Sequence, residues 1–341
     1  MKHQGISRFL FKVSLLSLPL LLLSLFYVCA DPFKVIWSYD VYYRSGPNHV
    51  TLNRDYVSLE TFLHHQSREK WDSFIFGNSR SLFYEVRDWA LSIGSERSYH
   101  FDASGESLYG ITRKLQFLER HQLPVSNALI ILDAETLNTV TNSQGHLLIK
   151  HPLLSGQNRL VFQMEYFKTF FSRRFLVAYL DFRLCNRIKP YMIEECLLDE
   201  RPIDYDVRHN EIRFGLQEQL IRDNPDAYYV PRKAIFYTRP VQQTVAAPVI
   251  KQPQRTELLE AVRVLTSQHT NYRLVISPLY DQVRFNPADL AYLKEVFGAD
   301  RVHDFSGIND ITSEYRNYYE ASHYRPHIAR QIMSIVYGIP E

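Results

Sequence analysis

Short apolar runs alternate along this chain with longer stretches in which apolar residues recur every three or four positions. Residues 73–77 (SFIFG) are an apolar run closed by a glycine, and residues 81–93 follow with a helical pattern. Residues 98–103 (SYHFDA) read as the next strand. Residues 106–122 read as a helix with Leu108, Ile111, Leu115 and Leu118 on one face. Residues 128–134 (ALIILDA) form a continuous apolar run of the kind found in strands buried on both faces. The order resumes late, with an amphipathic helix at 256–268, a strand at 272–279 and a helix at 287–298. A short strand at 301–307 and a closing helix at 321–338 complete it. Strands alternating with helices predict an α/β fold, a parallel sheet joined by right-handed crossovers.

Two stretches fall outside this order. Residues 13–30 (VSLLSLPLLLLSLFYVCA) carry no charge, and as a helix they would reach about 27 Å, close to a bilayer's hydrocarbon thickness. Lys2, Arg8 and Lys12 precede them, and no acid appears before Asp31. The expectation is an uncleaved single-pass anchor in the cell (inner) membrane. Its N-terminus would be cytoplasmic and the remainder extracytoplasmic, or periplasmic. A cleaved signal peptide is the alternative. The second stretch, residues 141–255, is too long for a loop and reads as a mainly helical insertion. Within it, residues 150–189 hold eight Lys or Arg against Glu165 and Asp181, with Phe162, Tyr166, Phe170, Phe175 and Tyr179 among many aromatics. Their spacing allows a helix packed on the domain or one facing anionic lipid or a membrane partner. The expected organisation is therefore a cytoplasmic N-terminus and anchor (1–30) and a membrane-proximal segment (31–70). The α/β domain follows in two parts (71–140 and 256–341) around the insertion (141–255).

Composition narrows the picture. At 341 residues and 45% hydrophobic, the chain can bury a sizeable core without disulfides or metals. Three of the 39 basic residues lie in the first thirty positions, which leaves 36 against 37 acidic ones. So even a balance argues against nucleic acid as a partner. The cysteines are Cys29, Cys185 and Cys196. Outside the cytoplasm the last two are either bridged or free, and their spacing does not decide.

The candidate chemistry sits at strand ends. Ser79, in GNSRS, follows the first strand and opens a helix, where free amides and the helix dipole favour negative charge. A serine nucleophile needs a base, and the base needs a carboxylate to hold its tautomer. The stretch YYEASHYRPH supplies Glu320 three residues before His323, just ahead of the last helix. Asp304, at the end of the last strand, is the competing carboxylate. Gly105, in FDASGES after the second strand, lets a backbone amide approach an oxyanion. Asn78 and Arg80 flank the nucleophile as candidates for oxyanion or substrate binding. Arg80 would either hold an anionic group on a polymer or form a salt bridge within the domain. There is no G-x-S-x-G elbow, H-E-x-x-H motif, P-loop or dinucleotide glycine pattern, and no metal or cofactor is expected.

Together Gly77-Asn78-Ser79, Gly105 and Glu320-x-x-His323 resemble the blocks of the SGNH/GDSL hydrolase superfamily over residues 71–138 and 257–338, with Glu in place of the usual Asp. The anchor, FGNSRS and SHYRP look most like its membrane-anchored envelope branch, whose members are often paired with membrane-bound O-acyltransferases. The resemblance implies a flavodoxin-like three-layer α/β/α fold and an esterase or O-acyl(acetyl)transferase. It implies a cell-envelope polysaccharide or acylated glycan as substrate, acted on through a Ser79–His323–Glu320 triad. The family's third block, which supplies an oxyanion asparagine, here reads LDAETLN, with Asp133 and Glu135 and with Asn138 further on. The oxyanion hole is then expected from Ser79 and Gly105 alone, or the chemistry is altered. A non-catalytic scaffold that binds glycan or docks on an acyltransferase is the alternative.

Overall fold

The run from Ala128 to Leu132 is wholly buried and forms the middle of a five-stranded parallel sheet. The structure, a computed structural model, describes residues 2–44, 46–47, 49–193, 198–200 and 202–339. The strands are β1 (Ser73–Phe76), β2 (Ser98–His100), β3 (Asn127–Leu132), β4 (Asn271–Ile276) and β5 (Val302–Asp304). Their spatial order is 2-1-3-4-5, every pair parallel. Register is continuous from Ser73 opposite Asn127 to Phe76 opposite Ile130, and from Asn127 opposite Asn271 to Leu132 opposite Ile276.

The helices longer than five residues are α1 (Lys2–Ala30), α2 (Arg54–Glu69), α3 (Val86–Ile93), α4 (Leu108–Arg120), α5 (Arg159–Phe170), α6 (Arg173–Cys185), α7 (Gly215–Asp223), α8 (Gln252–Ser267), α9 (Pro287–Phe297) and α10 (Pro326–Tyr337). Because alternate strand residues point to opposite faces, the sheet has two cores. Phe74, Phe76, Ile130 and Leu274 pack against α2, α4, α8 and α9. Ile75, Leu129, Ile131 and Val275 pack against α3 and α10. Side-chain caps start several of these helices: Asn53 accepts from the Tyr56 N–H at α2 and Ser107 from the Gly110 N–H at α4.

The outer segments differ in part from the sequence-based expectations. The membrane-proximal segment holds helix α2, whose Leu59 and Phe62 join the core beside Trp71 and Phe74. Thus 16 residues of the 31–70 segment, expected to be membrane-proximal, pack on the α/β domain. The insertion is helical over α5, α6 and α7, but it also contributes antiparallel strands Pro202–Asp206 and Glu211–Arg213. The turn of this hairpin covers the edge of β2, where the His209 carbonyl accepts from the His100 N–H. An open parallel edge would otherwise leave that donor unpaired. The aromatic face of α5 and α6 is buried in a third core with Phe33, Tyr42 and Tyr56. Helix α1 joins this core only at its last turn, through Phe26 and Tyr27; Phe9–Ala30 has mean hydropathy 2.3, long and apolar enough to cross a bilayer or to serve as a signal sequence. The Cys196 end of the conceivable Cys185–Cys196 bridge lies outside the described residues, and Cys185 is exposed.

Candidate active site

The nucleophile candidate sits where β1 ends. Gly77 follows Phe76 with φ +153, and a Cβ on it would stand 2.9 Å from Ser81 Cβ and 3.0 Å from Ile131. Only a residue without a side chain lets the chain turn this tightly against β3. Asn78 then caps a short 3₁₀ turn, Ser79–Phe83, by accepting from the Arg80 N–H. Ser79 is its first residue and is half-buried. Replacing Gly77 by Ala is expected to destabilise the fold by about 1–3 kcal/mol. A urea midpoint equal to that of the parent would refute this account of the turn.

The base arrives from the other end of the chain. Strand Tyr318–Glu320 pairs antiparallel with His323–Tyr324, so that Glu320 lies opposite His323. The His323 Nε2 lies 2.7 Å from Ser79 Oγ. Its Nδ1 makes a short contact with Glu320 Oε1, and Glu320 Oε2 accepts from the Ser322 N–H at 2.7 Å. With a carboxylate facing Nδ1, the proton belongs there, and Nε2 is the acceptor for the serine hydroxyl. Burial pushes the Glu320 carboxyl up, but the His323 hydrogen bond and charge, with the Ser322 amide, outweigh it and hold the group below the usual glutamate range. Asp304 is occupied elsewhere, accepting from both the amide and the hydroxyl of Ser306.

Asn78 and Arg80 are held by the protein itself. The Asn78 side-chain amide donates to Asp133 Oδ2 at 2.8 Å and to Thr136 Oγ1 at 3.1 Å. Arg80 donates to Asp133 Oδ2 at 2.7 Å and to the Ser322 carbonyl at 3.2 Å. The guanidinium thus ties the nucleophile turn, the acid after β3 and the histidine turn together. It also pairs with the Asp133 carboxylate beside Ser79's turn. Asn138 is an exposed residue at the end of the one-turn helix Ala134–Asn138, with its carbonyl accepting from Gln254.

Gly105 lies in an exposed turn with φ +54. The Ala103 N–H donates to the Gly77 carbonyl, so the loops after neighbouring strands β1 and β2 run side by side. Among the described residues, the N–H groups of Ser79 and Gly105 have no hydrogen-bond partner.

Several supporting residues carried no signal in the sequence. His100, fully buried, bridges the Ser81 carbonyl (2.9 Å) and Asp102 (3.0 Å), and Arg54 clasps Asp102 through two nitrogens. Burial raises the Asp102 carboxyl, but Arg54 and His100 hold it far below the usual range. On the other side, Glu218 of α7 accepts twice from Arg325 at 2.8 Å and once from the Tyr319 hydroxyl at 2.7 Å. The insertion therefore grips the residues on both sides of the Glu320–His323 pair. The spacing of Glu218 offered no clue, since its partners lie about a hundred positions away.

No protein-family model, curated protein or solved structure matches this chain.

Proposed function

We propose that this chain is a membrane-anchored, outward-facing serine acyl-ester enzyme of the SGNH type. It would hydrolyse a short acyl ester on an envelope polysaccharide or transfer the acyl group to a sugar hydroxyl. One observation carries the reading: Ser79 Oγ lies 2.7 Å from His323 Nε2, and the other ring nitrogen meets Glu320. That is the geometry a nucleophile, base and orienting carboxylate require. The sheet order 2-1-3-4-5 supports a flavodoxin-like three-layer fold, in which ligands bind outside the carboxyl ends of the strands. Ser79 and Gly105 both follow such ends.

In this mechanism His323 takes the Ser79 proton as Oγ attacks the acyl carbonyl. The Ser79 and Gly105 amides stabilise the tetrahedral oxyanion, and Glu320 stabilises the imidazolium. His323 then protonates the departing sugar oxygen. Water, or a second hydroxyl, then attacks the acyl-serine carbonyl as His323 takes its proton, and His323 returns that proton to Ser79 Oγ as the serine–acyl bond breaks and the acid or the new ester leaves. The side chains of His323 and Glu320 are 31% and 33% exposed, so a bulky polymer can reach the serine without a lid opening. Outward orientation follows from Lys2, Arg8 and Lys12 before the apolar stretch.

A fluorophosphonate probe tests the reading on the full chain. Labelling is expected at Ser79, located by peptide mapping, together with acetate release from an O-acetylated polysaccharide. A folded chain that neither labels nor turns over p-nitrophenyl acetate would instead be a non-catalytic module that binds glycan or docks on an acyltransferase.

A further inference from the structure

The end of α1 does not leave the domain on a free tether. The Phe26 ring lies 6.3 Å from Phe170 and 6.1 Å from Tyr179, and Tyr27 lies 5.7 Å from Phe167 and 4.9 Å from Phe170. One turn later, Ala30 lines a cavity of about 200 Å³ with Tyr179, Phe182 and Arg183. The contacts climb from α1 as they run back along α5: Phe26 and Tyr27 meet Phe170, Tyr27 meets Phe167, Phe33 meets Tyr166, and the Val35 carbonyl accepts from Gln163. Helix α5 therefore runs toward the side from which α1 comes, and its end, with the turn into α6, lies there.

That end of the hairpin has the chemistry of a membrane interface. Lys168 and Arg173 are exposed there, and so is the apolar side chain of Val177. The only acids in residues 159–193 are Glu165 and Asp181, paired with Lys168 and Lys189. Trp37, 52% exposed, donates its indole N–H to the Val28 carbonyl at 2.8 Å and so stands at the level of the last turn of α1. Aromatic side chains at that level with cations beside them are how proteins seat themselves in headgroups.

We propose that the α5–α6 tip, residues 167–177, rests in the phosphate headgroups of the anionic bilayer that α1 spans. This inference rests on reading α1 as a membrane span. The seated tip fixes how the domain, and with it Ser79, faces the membrane surface. Attraction to phosphate favours lipid over a neutral surface, and the climb of the contacts favours the bilayer of this chain's own anchor.

The test uses the full chain in liposomes of phosphatidylcholine with or without phosphatidylglycerol, with brominated acyl chains as quenchers. A Val177→Trp reporter is placed in a Trp37→Phe background; Trp71 and Trp89 are fully buried and out of the quencher's reach. The reporter is expected to be quenched in the anionic liposomes. Quenching should weaken when phosphatidylglycerol is left out or when Lys168→Glu and Arg173→Glu are added. A reporter that stays bright in anionic liposomes, on a chain that resists carbonate extraction, overturns the proposal and leaves the anchor reading intact. The tip would then await a protein partner. Release by carbonate overturns both readings at once.

Discussion

Replacing Ser79 by Ala should lower ester hydrolysis about 10⁴-fold or more, with the fold unchanged. His323→Ala should cost about as much, and the double variant little beyond either single one. Residues that act as one unit are strongly non-additive, since the hydroxyl is a useful nucleophile only while the imidazole accepts its proton. The side chains are accessible enough for the substitutions to be tolerated. Ser79 Oγ has His323 as its partner, and His323 is 31% exposed. The measurement is kcat/KM on p-nitrophenyl acetate for all three variants beside the parent, with circular dichroism as the control for folding. Additive losses would show that the two side chains act separately. Undiminished turnover by the Ser79→Ala variant would remove the nucleophile from the mechanism.

The second large effect concerns stability. Under the loop that carries Gly105 lies a fully buried cluster of two cations and two carboxylates. Glu106 meets Lys114 at 2.5 Å and Lys150 at 2.6 Å, and Asp55 meets the same lysines at 3.1 and 3.4 Å. None of the four side chains is more than 1% exposed. Lys114 also donates to the carbonyls of Phe101 and Asp102, and Gly110 leaves room for the Glu106 carboxylate to cross α4. Glu106→Ala leaves two ammonium groups with a single carboxylate, far from water. The expected loss is about 3–5 kcal/mol. Glu106→Gln, which keeps the acceptor oxygen, should lose less. Denaturant midpoints at neutral pH measure both, and a midpoint unchanged by Glu106→Ala would contradict the cluster's role.

The same cluster sets an acid limit. Burial raises the Asp55 carboxyl, but Lys150, Lys114 and the His151 amide outweigh it and bring it down to about 2. A carboxylate with a folded pKa below its unfolded value contributes stability that is fully present above the unfolded value. That contribution is lost as pH falls from near 4 toward 2. Stability should therefore decline over that window.

Much of the fold could be read along the chain because its signals are local. Apolar runs at residues 73–76 and 128–132 mark strands, and the face of Leu108, Ile111, Leu115 and Leu118 marks a helix that is indeed buried. Lys114 sits next to that face, yet a lysine reads as solvent-exposed unless its partners are known. Its carboxylates come from α2 and from the loop before α4, and its companion Lys150 comes from the insertion. The role of Asp133 was hidden for the same reason. Beside a nucleophile an acid looks like an obstacle until Arg80 and Asn78 are seen to hold it.

Composition and periodicity alone determined an α/β chain with a parallel sheet, an apolar N-terminal helix and serine, histidine and carboxylate candidates at strand and turn positions. Those properties depend on residues within a turn or a strand of one another. Only the tertiary structure decided that Ser79 and His323, 244 positions apart, meet at 2.7 Å. It alone decided that Asp304 turns to Ser306, and that the insertion grips the histidine turn through Glu218. Such contacts are made by packing distant segments across one sheet, and no local pattern of side chains encodes which distant partner each will find.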